Sequence, residues 1–105
     1  MTNIKQNDLI QSVADAFQFI SYYHPKDFIA AMGKAYELEE GHGAKDAIAQ
    51  ILTNSRMCAE GHRPLCQDTG IAVVFLKIGM NVQWPDATMS VSEMVNEGVR
   101  RAYLN

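Results

Sequence analysis

Apolar residues recur along this chain in two rhythms, one helical and one extended. Ile4, Leu9, Val13, Ala16, Phe17 and Ile20 stand about one helical turn apart, which predicts an amphipathic helix from Asn3 to about Tyr23. His24-Pro25 stops it, and a proline at a first helical position is preorganised to start the next. Phe28, Ile29, Met32, Ala35 and Tyr36 carry that second helix to Glu39-Glu40-Gly41. Gly41-His42-Gly43 is the break. Ala47, Ile48, Ile51, Leu52 and Ser55 then predict a third helix from Ala44 to about Met57, followed by a polar loop from Ala59 to Leu65.

The rhythm changes after Gly70. Ile71-Ala72-Val73-Val74-Phe75-Leu76-Lys77-Ile78 is a β-branched run bounded by glycines, the pattern of a strand buried on both faces. Gly79-Met80-Asn81 reads as a turn, Val82-Gln83-Trp84 as a brief second strand, and Pro85-Asp86 as its end. Ser90 and Glu93 form a capping-box pattern, with Met94, Val95, Gly98, Val99, Ala102 and Tyr103 on one face of a helix behind it. The fold class expected is α+β: three N-terminal helices, a buried strand or hairpin, and a C-terminal helix. A lone hairpin is marginal in water, so such a unit is expected to be part of a larger domain.

Composition narrows the function classes. At 105 residues and 48% hydrophobic content the chain suits one core and no more. Its net charge is -3 and its nine Lys and Arg are scattered, so no contiguous basic surface marks a nucleic-acid partner. No apolar run reaches the roughly 20 residues of a membrane span, and MTNIKQNDLIQ lacks the layout of a signal peptide. A cytoplasmic protein is the expectation, with its two cysteines as thiols or ligands rather than a disulfide.

Chemistry concentrates in RPLCQDTGIAVVFLKIG, residues 63 to 79. Asp68-Thr69-Gly70 matches an aspartic-protease triplet, but that chemistry belongs to an almost all-β framework and this chain is rich in helix patterns. Alternatively, a Cys66 thiolate held before a rigid strand can ligate a metal, with Gln67 and Asp68 offering hydrogen-bonding and proton-transfer groups beside it. The third reading is a polar turn in which Asp68 and Thr69 bond their own backbone. Residue chemistry alone leaves the last two open.

Three stretches together, NSRMCAEGHRPLCQDTG, the apolar run behind it and EGVRRAY at 97 to 103, resemble the N-terminal part of the alpha region of class I, iron-sulfur-dependent fumarate hydratases and the related two-subunit tartrate dehydratases. The similarity extends from about Asp27 to the chain end. It implies that residues 1–105 are the N-terminal portion of the catalytic alpha region of a hydro-lyase. The parent would reversibly hydrate fumarate to (S)-malate, a tricarboxylic acid cycle reaction, at a [4Fe-4S] cluster acting as Lewis acid. L-tartrate dehydration is the alternative.

The resemblance further implies that Cys66 is one of three cluster thiolates, that Gln67 and Asp68 bind a small dicarboxylate substrate, and that Asp68 is a candidate proton donor to the departing hydroxyl. Two further cluster cysteines, a base and several cationic residues would come from the rest of the enzyme or from a beta subunit, and a homo-oligomer is implied. By itself the chain is expected to bind no cluster and to be inactive. A non-catalytic interaction module with an exposed strand edge is the reading from another class.

The remaining chemistry-bearing residues have structural readings. Cys58 is expected in the core or a loop, His24 at a cap-like position, His42 at a solvated helix break and His62 in a solvated loop or at a site mouth. Met32, Met57, Met80, Met89 and Met94 read as core filler, Trp84 as an anchor for the hairpin and Lys77 as a snorkelling or strand-end residue.

Overall fold

A computed structural model describes residues 1–66 and 71–104. The element order is β1 (Thr2–Asn3), α1 (Gln6–Tyr22), α2 (Lys26–Leu38), α3 (His42–Gly61), β2 (Val82–Gln83) and α4 (Val91–Leu104). Mostly helical with one small parallel sheet, it is consistent with the α+β class. The described residues fall into two compact units, 1–18 with 71–104, and 19–66.

In the first unit β1 and β2 pair in parallel, Thr2 opposite Val82 and Asn3 opposite Gln83. The Ile4 amide donates to the Gln83 carbonyl at 2.9 Å, continuing the ladder as the chain turns into α1. That helix starts where a distant carboxylate caps it. The Gln6 amide donates to Asp86 Oδ1 at 3.0 Å, while the Gln6 side chain accepts from the Thr88 amide at 2.8 Å. An acidic acceptor there satisfies one of the orphan donors of a helix start.

The buried residues of this unit are Ile10, Val13 and Ala14 of α1 and Met94 and Gly98 of α4. Met94 is 1% exposed. A methyl group placed on Gly98 would lie 2.6 Å from Val13 Cβ and 2.7 Å from the Ile10 carbonyl oxygen, so the absence of a side chain is what lets α4 close on α1. The capping box forms as expected: Glu93 N donates to Ser90 Oγ at 3.2 Å and Ser90 N to Glu93 Oε1 at 3.3 Å. Arg101 fixes the other end of α4 by donating to Asn7 Oδ1 at 3.0 Å.

Several expectations need correction. The run 71–78 forms no strand: none of its residues joins a ladder, and Ile71 and Phe75 are 90% and 95% exposed. The physical reason is supply. A β-branched run needs neighbouring strands to satisfy its backbone, and β2 takes its partner from the chain start rather than from this run. Hence Val82-Gln83 is a strand as predicted, but not one arm of a hairpin with 71–78.

The face of α1 is also rotated from the predicted one, since Ile10 and Ala14 are buried while Ala16 and Ile20 are exposed. Met57 and Met80 are exposed rather than core filler. Trp84 is half-buried beside Ile4, Leu9 and Val82 around a shallow apolar recess.

In the second unit α2 lies along α3. Pro25 is the N-cap of α2, so His24 sits one residue outside it. His24 Nδ1 instead hydrogen-bonds Ser55 Oγ at 2.9 Å, satisfying the buried hydroxyl, and its ring stacks on Phe28 with centroids 4.4 Å apart. The third helix starts at the exposed His42, with Gly41 as its N-cap, and continues four residues past Met57 to Gly61. Ala59 and Glu60 favour helical backbone, and the helix ends only after Gly61, where His62 takes the left-handed conformation (φ 51°).

Candidate functional site

Residues 62 to 65 connect the end of α3 to the motif that begins at Cys66, and the backbone of this connection is held by hydrogen bonds. The amides of His62 and Arg63 both donate to the Cys58 carbonyl, the second at 3.1 Å. A non-glycine residue in the left-handed region is uncommon, and here two aromatic rings stabilise it. The His62 ring stacks on Tyr22 at 5.7 Å between centroids, and its Nε2 is hydrogen-bonded to the Tyr23 hydroxyl at 3.0 Å. His62 is therefore a capping residue at the threshold of the motif.

Past the cap, the chain turns back beside α3. The Leu65 amide donates to the Ser21 carbonyl at 2.9 Å, and the Leu65 carbonyl accepts from Asn54 Nδ2 at 2.9 Å. The Cys58 thiol donates to the Pro64 carbonyl at 3.3 Å, with Asn54 Oδ1 at 3.6 Å as a second acceptor. Cys58 is buried at 6% exposure, which places it in the core as expected. Cys66, one residue beyond the anchored Leu65, is exposed.

The two thiols thus have different environments: one is enclosed and hydrogen-bonded to backbone, the other presented at the surface at the start of the motif. Gln67 and Asp68, together with Thr69 and Gly70, lie outside the described residues. Among the described residues no three His, Cys, Asp or Glu side chains converge to hold a metal ion. With two cysteines in the chain, one of them turned into the core, the donor set does not fit a whole cluster that needs three thiolates. The exposed thiol of Cys66 could supply one donor to such a site.

Electrostatics in the described residues is concentrated on α4. Glu97 bonds Arg100 at 2.7 Å and Arg101 at 3.1 Å, and these guanidinium groups, Arg100 first, lower its carboxyl to about 2. The same pair raises the Arg100 pKa. EGVRRAY, one of the stretches that carries the resemblance, therefore includes an ion-paired helix segment. It fixes Arg101 between Glu97 and Asn7. Among the described residues no helix is long and apolar enough to cross a membrane.

Comparison with known proteins agrees with the sequence resemblance. The sequence model of the family described as Fumarate hydratase (Fumerase) matches residues 10–105, which include the whole motif and every helix but the first turn of α1. The chain belongs to the fumarate hydratase (Fumerase) family. It is 37% identical over 90 residues to a protein of Methanocaldococcus jannaschii named "Putative L(+)-tartrate dehydratase subunit alpha", a match that covers 86% of this chain and 31% of that protein. It is 31% identical over 94 residues to the Escherichia coli "Fumarate hydratase class I, anaerobic", covering 90% of this chain and 16% of that protein. The chain thus spans less than a third of the length of either relative.

Two features of the site region escaped the sequence reading. One is the aromatic support of His62 by Tyr22 and Tyr23, and the other is the bonding of Asn54 and Cys58 to the carbonyls before Cys66. The second had a readable signal: Asn54 and Cys58 are spaced i, i+4, so they share one face of a helix if α3 runs on past Met57.

Proposed function

We propose that this chain is the N-terminal portion of the catalytic region of a hydro-lyase that interconverts fumarate and (S)-malate. The observation that carries the reading is the family match over residues 10–105, which contains Cys66-Gln67-Asp68-Thr69-Gly70 intact. Cys66 would supply one thiolate to a [4Fe-4S] cluster, the others coming from outside this chain. Its exposure and the anchoring of Leu65 before it support that role.

Gln67 would bind a substrate carboxylate through its amide, and Asp68 would contact the substrate and give a proton to the hydroxyl as it leaves. Hydroxide is a poor leaving group, and protonation is one of the ways an enzyme lowers its cost. The basic residues that a dicarboxylate needs, like the remaining thiolates, would be contributed by the rest of the enzyme or by a separate subunit.

Tartrate is the second reading for the substrate, favoured by the higher identity to the M. jannaschii relative. That relative is named as a subunit alpha, which supports a partner subunit for the present chain.

The test is anaerobic reconstitution of the longer parent chain with iron and sulfide. Cluster absorbance and fumarate hydration are expected, with both lost in Cys66→Ser; retention of both in that variant would overturn the assignment of Cys66. Preference for tartrate over fumarate in substrate competition would transfer the activity to the second reading.

A further inference from the structure

The anchoring of the backbone before Cys66 has a specific source. From α3, Asn54 and Cys58 reach the carbonyls of Leu65 and Pro64, the two residues that precede the exposed thiol. A single S–H serves one acceptor at a time, and Pro64 at 3.3 Å is nearer than Asn54 Oδ1 at 3.6 Å. The amide of Asn54 then has its own task, since its Nδ2 holds the Leu65 carbonyl at 2.9 Å. That carbonyl belongs to the peptide plane that joins Leu65 to Cys66. The other peptide plane of Leu65 is held as well, because its N–H donates to the Ser21 carbonyl.

We propose that Asn54 is a positioning residue for Cys66: by donating to the Leu65 carbonyl it fixes the peptide from which the thiol projects, with Cys58 securing the preceding peptide. Asn54 acts through the backbone, by its bond to the Leu65 carbonyl. A thiolate ligand needs this more than a loop residue does, because cluster geometry leaves little tolerance in where its sulfur sits, and supporting residues around metal ligands commonly supply such orientation. The inference rests on the assignment of Cys66 as a ligand only for its functional consequence. The positioning itself is a property of the 105-residue chain.

The decisive variant is Asn54→Asp, which keeps the size and shape of the side chain but faces the Leu65 carbonyl with an acceptor. Amide exchange is followed by NMR on the 105-residue chain at neutral pH. Arg63 and Leu65 amides are expected to exchange about fivefold faster in Asn54→Asp and in Asn54→Ala, the size given by losing one ordinary hydrogen bond, while the amides of α4 keep their rates. A nitroxide on Cys66, attached in a Cys58→Ser background whose hydroxyl can still donate to Pro64, is expected to gain mobility in the same two variants.

Were Asn54→Asp to leave Leu65 exchange and label mobility unchanged while Asn54→Ala altered them, side-chain packing rather than donation would be responsible and the proposal would fall. Uniform acceleration in both units would also overturn it, as a mark of general destabilisation. Neither readout needs a cluster. The Cys66→Ser reconstitution can therefore fail while the positioning role stands, and the reverse.

Discussion

Helix α4 and the run 71–78 lie in the same compact unit and are both rich in apolar residues, yet they meet opposite fates. On α4, Met94 is 1% exposed and Gly98 lets the helix close onto Val13 and the Ile10 carbonyl. Along the run, Ile71, Val73 and Phe75 are exposed by 90%, 60% and 95%. The difference teaches that an apolar pattern states a need for a partner without supplying one. A helix satisfies its own backbone and needs only a facing surface, which α1 provides. A strand needs a neighbour for its backbone as well as for its side chains, and among the described residues the run has no ladder partner.

The contrast can be broken at either end. Met94→Ala removes the most enclosed side chain of α4 and is expected to cost about 3 kcal/mol, read by chemical denaturation of the 105-residue chain. Gly98→Ala comes next. Alanine favours helix by about 1 kcal/mol, but its methyl would press on a backbone oxygen that has little room to yield, so a net loss of about 2 kcal/mol is expected in the same measurement. A gain in stability on Gly98→Ala would show that α4 can stand further from α1 without loss.

A smaller effect concerns acid. The Glu97 carboxyl lies below its unfolded value, down to about 2, so its pairing with Arg100 and Arg101 stabilises the folded chain fully above the unfolded pKa and progressively less as pH falls toward 2. Melting temperatures of the native chain and of Glu97→Gln are therefore expected to differ at pH 6 and to converge on acidification from roughly 4.5 to 2. A difference independent of pH would remove the ion pair as its cause. Smallest of all is Phe75→Ser, expected to change stability by less than about 0.5 kcal/mol because the ring is already in water. A large loss there would mean that the run is packed in solution, and the comparison with α4 would have to be redrawn.

Local signals were legible where they involve neighbours in sequence. Ser90 and Glu93 cap α4 as their spacing predicts, and Pro25 stands at the start of α2. Signals that depend on distant residues were not. Asp86 reads as a strand terminator, yet it caps α1 from 80 positions away. Ser55 reads as part of a helix face, but its burial depends on His24 being placed to bond it. The motif itself was readable as a string of residues that carries the resemblance to the family. The anchoring of the backbone before it was not, because Asn54 and Cys58 meet Pro64 and Leu65 only when the chain turns back at His62.

Family membership, the helix-forming segments and the chemical character of Cys66-Gln67-Asp68 were therefore determined by the sequence alone, since each rests on residue identity or on periods of a few positions. Tertiary structure decided which cysteine is enclosed, which face of α1 is buried and what β2 pairs with. Those outcomes depend on free energy shared between segments far apart in the chain, and a local pattern carries no information about whether its partner arrives.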